Sequence, residues 1–378
     1  MRRHDDLCGR CGSFSRPLCL YSGGLDGTVL LHRLVSEGLK DIVALTVDLG
    51  GKPSISVVRE VCDHLDIRSV VVDRRAEFAE EYVLATLAAH GTYLGSYPIS
   101  ASLSRPLMAR VALQVAEAEG CDAILHTATR SQNSLRRFNG ALSDLRFGGP
   151  YGSPLVGEPI NRSEKRQTLQ RAGITGFESR TCSIDVNLWC REFEGEGLDD
   201  PEDIKYDAEF RWSRLTNSSP EEVTILFEKG RPTEVNGDSL GLVELVERLN
   251  VVVGGFGLGR FVGFDELVTG HKVQEIREAP AACLLLDAYR RLEHATISSE
   301  VLRVKLGMEQ IWVREAVEGR WFQTLRTATE AFITATAHDV TGRVTYLLRP
   351  YRMDPVSVVA AKPLYVRDRA IIEALIPR

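Results

Sequence analysis

Apolar residues along this chain alternate between short unbroken runs and stretches at helical spacing. Pro17-Leu18-Cys19-Leu20 is an unbroken run that reads as a buried strand, and behind it Val29, Leu30, Leu31, Leu34 and Val35 fall on one helical face. Ile42 to Val47 and Ser69 to Val72 repeat the strand signal, with a helix from about Ser56 to Leu65 between them. Helical spacing returns from Ala76 to Ala89 and from Arg105 to Glu119, followed by the run Ala123-Ile124-Leu125. Strands alternating with helices predict β-α-β units, hence a parallel sheet with its ligand beyond the carboxyl ends of the strands.

Near Gly173-Ile174-Thr175 the pattern changes. Glu222 to Phe227 alternates like a half-buried strand, and Glu228 to Pro232 turns it. Leu240 to Leu249, Ala281 to Glu293 and Trp321 to Ala337 read as helices, Val251-Val252-Val253 as a short apolar run before the glycine segment Gly254 to Arg260. Val344 to Leu348 and Val356 to Val359 read as late strands, and Ile371 to Arg378 as one or two helical turns. The expected class is α/β: a nucleotide-binding parallel-sheet domain, an α+β second domain and a C-terminal segment. The boundaries expected are 1–16 for an N-terminal extension, 17–176 and 177–345 for the domains, and 346–378 for the segment.

Composition narrows the partners. With 378 residues there is length for two sizeable cores. A formal net charge of −6 argues against non-specific binding to nucleic acid or acidic lipid. No apolar run approaches the roughly 20 residues of a membrane span, and Met1 to Asp6 has no signal-peptide core, so a cytoplasmic protein with free thiols is expected. Cys8 and Cys11 form a C-x-x-C without a second pair at zinc spacing, and no metal site is expected there.

The chemistry concentrates at the carboxyl ends of the strands. Tyr21-Ser22-Gly23-Gly24-Leu25-Asp26-Gly27-Thr28 joins the first strand to the first helix. Unpaired N–H groups at a helix N-terminus favour an anion, glycines permit close approach of a phosphate, and Ser22 and Thr28 add hydroxyls. It is not a Walker A loop, because the lysine-containing pattern is missing. After the strand at 123–125, the residues His126 to Phe138 are expected as a loop dense in hydroxyls, amides and arginines, groups that bind phosphate or carboxylate. A further loop carries Tyr93, Tyr97, Ser100 and Ser102.

The S-G-G-x-D string after an apolar strand resembles the pyrophosphate loop of ATP pyrophosphatases. The longer series resembles argininosuccinate synthase: Y-S-G-G-L-D at Tyr21, S-x-x-R-P at Ser102, H-x-A-T…N…R-F at His126, S-I-D-x-N-L-W at Ser183, G-x-G-x-G-R ending at Arg260 and E-A-P-A-A at Glu278. The resemblance implies an ATP- and Mg2+-dependent ligase that adenylates a ureido-type oxygen, releases pyrophosphate, and lets an amine displace AMP. It implies Ser22, Asp26 and Thr28 as catalytic, with Tyr21, Gly23, Gly24, Leu25, Gly27, Val47, His126 and Thr129 completing the ATP site. On the aspartate side it implies Thr129, Asn133 and Ser134, the last where the family has a carboxylate. On the acceptor side it implies Tyr97, Ser102, Asn133, Arg137, Ser183, Glu192, Asp265 and Arg277. A homo-oligomer, tetramer or dimer, is implied as well.

Glu192 stands where the family has serine, Asp265 where it has glutamate and Arg277 where it has tyrosine. Two new charges in one pocket either pair with each other or are met by the substrate. The expectation is therefore aspartate as amine donor, an acceptor other than citrulline, and a role in specialised metabolism. The alternatives are a divergent argininosuccinate synthase, a sulfur-transfer or tRNA-modifying enzyme with the same loop, and an inactive nucleotide-binding protein.

Overall fold

The computed structural model describes residues 12–51, 55–156, 161–177, 182–195, 198, 200–202, 210–267 and 269–375. Cys8, Cys11, Asp199, Asp203 and the three last residues lie outside that set. The six described cysteines are free thiols.

Strand β1 (Pro17–Leu20) runs into helix α1 (Leu25–Ser36), followed by β2 (Val43–Asp48), α2 (Ile55–His64) and β3 (Arg68–Asp73). Helix α3 covers 75–88, with a π-wound stretch at Phe78–Val83, and leads to a hairpin of β4 (Thr92–Tyr93) and β5 (Tyr97–Pro98). Then come α4 (Ala101–Glu119), β6 (Ala123–Leu125), α5 (Ser134–Asp144), β7 (Tyr151–Gly152) and α6 (Arg162–Arg171).

The sheet runs β3-β2-β1-β6-β7, with every pair parallel. Side chains alternate across it: Leu18 and Leu20 enter one core, Cys19 and Tyr21 the other. From β1 the order proceeds to β2 on one side and β6 on the other. The crevice at such a switch point is where a parallel sheet holds its ligand. The loops after β1, β2 and β6 therefore meet at one edge, as the periodicity predicts.

The second region contributes β8 (Ser183–Val186), β9 (Arg191–Glu194), β10 (Glu221–Glu228), β11 (Arg231–Val235) and β12 (Asp238–Ser239). Helix α7 (Leu242–Gly254), β13 (Arg260–Glu266), β14 (Lys272–Glu278), α8 (Pro280–Thr296), α9 (Ser299–Val317) and α10 (Thr324–Ala337) follow. The chain ends in β15 (Gly342–Arg349), β16 (Arg352–Ala360) and α11 (Arg369–Leu375). Two antiparallel sheets result, β13-β14-β9-β8 and β12-β11-β10-β15-β16. One core cluster joins Leu18 and Ile124 of the first sheet to Leu284 and Tyr346 of the second region. No helix among the described residues is long and apolar enough to cross a membrane.

Four local readings change. Helix α4 starts at Ala101 rather than Arg105, so Ser102 lies on a helix and not in a loop. Pro106 removes one backbone donor, yet residues 101–104 are all buried and the helix continues through it. The expected loop up to Phe138 becomes α5 from Ser134 onward. Val251 to Val253 finish α7 instead of forming a separate run. Helix α9 escapes the periodicity because its buried face carries Lys305, Glu309 and Glu315 among Trp312 and Val313, which interrupts the apolar stripe.

Candidate active site

The loop after β1 is shaped by glycine. Gly23 has φ +76, a left-handed conformation that glycine adopts without strain. A Cβ on Gly27 would lie 2.6 Å from Cδ2 of Tyr21, so glycine there lets the tyrosine ring press on the start of α1. Gly24 begins α1 with no side-chain cap, leaving the helix N-terminus open to an anion. Ser22 is exposed beside it.

Thr28 departs from its expected place. It is fully buried, its hydroxyl donates to the Gly24 carbonyl at 2.8 Å and lies 2.9 Å from Oη of Tyr21. Thr28 and Tyr21 brace the loop from beneath rather than offering their hydroxyls to a phosphate. Asp26 is held by Lys165 of α6 at 2.8 Å, so a cation from a distant helix sits at this N-terminus.

At the next strand end, half-buried Val47 precedes Asp48, whose Oδ1 caps the amide of Gly50 at 2.9 Å. Gly50 has φ +93 and would carry a Cβ 2.9 Å from Leu188, while the Leu188 amide donates to the Leu49 carbonyl at 2.8 Å. This close approach brings the second region against the edge of the parallel sheet.

His126 also turns inward. Its Nε2 reaches Asn139 at 2.9 Å, its Nδ1 accepts from the Ala128 amide at 3.2 Å, and its ring stacks on Phe138 at 4.8 Å. Desolvation lowers its pKa to about 4, against a weaker opposing pull from Asn139, so the ring is neutral with both nitrogens used. It shapes the loop and offers no free ring atom to a nucleotide.

Beyond it the loop carries polar groups that reach across to β9 and β13. The Thr129 amide donates to Oε1 of Gln132 at 3.1 Å, and Gln132 donates to Glu194 of β9 at 2.6 Å. Asn133 donates to Asp265 at 2.8 Å, and Arg137 to the same oxygen at 3.3 Å. Burial alone would raise the Asp265 pKa, but Arg137 and the Asn133 bond outweigh it and hold the carboxyl below its ordinary range. Ser134 accepts from Arg105 at 3.2 Å, while Arg105 also bonds Asp185 of β8 at 2.6 Å and lies over the Phe138 ring.

Two of the acceptor-side positions, Glu192 and Arg277, share one row of the β13-β14-β9-β8 sheet. Pairing sets Asp185 opposite Glu192, Glu192 opposite Arg277 and Arg277 opposite Phe261. Arg277 closes on Glu192 at 2.6 Å and on Glu275 at 2.9 Å, and donates to the Pro98 carbonyl at 2.9 Å. Its guanidinium covers the Tyr97 ring at 4.3 Å. Tyr97 rests over Gly263, whose Cβ would stand 2.5 Å from Cδ1 of that ring, and its buried hydroxyl has no partner among the described residues. The two new charges are therefore paired in the fold. Ser102 is buried on the first turn of α4, and Ser183 is exposed on β8.

Asn133 and Arg137 thus meet at Asp265, while Glu192 and Tyr97 meet at Arg277, and Thr129 and Ser134 lie on the same loop and helix start as Asn133. The Ser22 loop lies at the carboxyl edge of the same parallel sheet as that loop. Arg105, Asp185, Glu194, Gln132, Glu275 and Lys165 join them without having been singled out. Arg105 and Asp185 sit inside recognised motifs, a usable signal. Lys165 has none, since only the docking of α6 carries it to Asp26.

Comparison with known proteins gives two family matches. Residues 18–148 match the model described as the arginosuccinate synthase N-terminal HUP domain, and residues 182–365 that of the arginosuccinate synthase C-terminal domain. An argininosuccinate synthase of Symbiobacterium thermophilum is 37% identical over 332 residues, covering 86% of this chain and 82% of that protein. One from Rubrobacter xylanophilus is 35% identical over 356 residues, covering 93% and 87%. A third, from Pyrococcus furiosus, is 33% identical over 337 residues, covering 88% and 82%.

Proposed function

This chain belongs to the argininosuccinate synthase family of ATP-dependent, AMP-forming carbon–nitrogen ligases, and we propose that it joins citrulline to aspartate. In this reading the ureido oxygen of citrulline attacks the α-phosphate of ATP and pyrophosphate leaves. The aspartate amine then attacks the adenylated carbon and AMP leaves. Adenylation supplies a leaving group, so the residues mainly position reactants and stabilise phosphate charge.

The exposed hydroxyl of Ser22 and the open N-terminus of α1 would take the pyrophosphate portion, with Mg2+ as counter-ion of the nucleotide. Val47 would lie beside the adenine. Thr129 and Asn133 would face aspartate, and Tyr97, Ser102, Arg137, Ser183 and Asp265 the acceptor.

One observation carries the choice of citrulline. An altered acceptor is needed if Glu192 and Arg277 are left to the substrate, but they meet each other at 2.6 Å. The names of the aligned relatives favour the same choice. A second reading, with an acceptor other than citrulline, has one feature behind it: Arg277 rests on Tyr97, one of the expected acceptor contacts. We also propose a homo-oligomer, supported by exposed Leu364, Val366 and Ile371 in the C-terminal segment.

Incubation with citrulline, aspartate and MgATP tests the function. Argininosuccinate, AMP and pyrophosphate in equal amounts are expected. ADP as product would overturn the adenylation reading. Pyrophosphate release only with a different carbonyl or ureido acceptor would replace citrulline and leave the class intact.

A further inference from the structure

Among the described residues, the carboxylates around the acceptor-side positions are, with one exception, matched to a guanidinium. Asp185 has Arg105, Asp265 has Arg137, and Glu192 and Glu275 share Arg277. Glu194 has no ion-pair partner among the described residues. It stands at the end of β9 with an exposed side chain, held by the neutral amide of Gln132 at 2.6 Å.

That amide ties Glu194 to the loop after β6, because its other end accepts from the Thr129 amide at 3.1 Å. The loop itself, from Thr127 to Ser134, holds hydroxyls, amides and one arginine but no acid. Such a loop suits the carboxylates of an amino-acid substrate, and its ammonium must find a negative partner elsewhere. Although the residue reaches solvent, crowding by neighbouring atoms and then the charges of Glu192 and Asp185 raise the pKa of Glu194, and the Gln132 bond and the more distant Arg105 guanidinium only partly offset them. Its charge is incompletely compensated by the protein, and an arriving cation is favoured there.

We propose that Glu194 binds the ammonium group of the amine donor, seating the donor between β9 and the Thr129–Asn133 loop. This rests on the reading that the chain condenses an amino-acid donor with an activated acceptor.

The test titrates the full chain, saturated with MgATP, with L-aspartate and separately with succinate, which keeps both carboxylates but lacks the amine. Wild type should bind aspartate more tightly than succinate. Glu194→Gln preserves the size and the oxygen that accepts from Gln132, so the loop keeps its anchor. It should weaken aspartate by roughly tenfold or more, the scale of one charge-assisted hydrogen bond, and leave succinate within about twofold. Glu194→Asp, which keeps the charge, should retain part of the preference. Equal losses for both ligands, an unchanged aspartate affinity in E194Q, or no aspartate binding by wild type would overturn the assignment. Failure of the proposed reaction is read separately, as absence of citrulline-dependent pyrophosphate release by wild type.

Discussion

Arg277 and Glu192 face each other across β14 and β9, and their side chains close to 2.6 Å with both residues almost wholly buried. Register alone makes them neighbours, and burial makes the pair consequential. Removing Arg277 leaves the buried Glu192 carboxylate without its counter-ion, which costs about 3–5 kcal/mol, while removing Glu192 leaves Arg277 with Glu275 at 2.9 Å. Arg277→Ala should lower the denaturation midpoint strongly, and Glu192→Ala by less. The double variant E192S/R277Y should be more stable than the sum of the single losses predicts. Additive losses would show that the pair is not coupled.

Glu275, on the other side of Arg277, is pushed up to about 7, first by desolvation and then by Glu192 and other acids against the pull of Arg277. A carboxyl raised in the fold contributes stability that is full below its unfolded pKa of about 4.3 and is lost as pH rises through about 7. Glu275→Gln removes that dependence while keeping a hydrogen-bonding oxygen for Arg277. The variant should gain on wild type as pH is raised from about 4.3 to 7, read from urea midpoints across the range.

His126 behaves in the opposite sense. Its folded pKa near 4 lies below its ordinary value, so its contribution is full above about 6.5 and is lost as pH falls toward 4. NMR of the imidazole nitrogens should find the ring neutral at pH 5.5, where most histidines are charged. A protonated ring at that pH would contradict the bond that Nδ1 accepts from the Ala128 amide.

Lys165 neutralises Asp26 at the N-terminus of α1. Without that cation, the carboxylate would oppose an incoming triphosphate. Lys165→Met should weaken ATP binding by roughly tenfold, and Lys165→Arg by much less, the scale of a single charge contact. Isothermal titration with ATP checks it, and equal affinity in K165M would remove the lysine from the nucleotide site.

Gly27→Ala would drive a methyl group into the Tyr21 ring. Tyr21 must then shift, which breaks its contact with Thr28 and loosens the loop. A raised KM for ATP with an unchanged aspartate affinity is expected, since the aspartate-side loop is built on β6 and α5.

The parallel sheet and its loop edge were legible because their signals are local. An apolar run is a strand when it can be buried on both faces, and β1, β2 and β6 are read that way from their own residues. The Ser22 loop is likewise read from contiguous residues, because a strand, two glycines and a helix start suffice to make an anion site. Helix α9 was not legible, since its inward face holds Lys305 beside Glu293 and Glu309, a match visible only after α8 and α9 pack.

The side-chain roles divide along the same line. Sequence alone determined which residue types are available: the glycine loop, the polar stretch from His126 to Ser134, and the charges Glu192, Asp265 and Arg277. Only the tertiary structure decided what each faces. Thr28 and His126 turn inward to brace their loops, Glu192 and Arg277 neutralise each other, and Glu194 forms no ion pair among the described residues. Electrostatic balance is a sum over neighbours distant in sequence, and Glu192 meets Arg277 only through strand register. Motifs specify the chemistry a chain can perform, while the folded neighbourhood determines which charges remain for a substrate to meet.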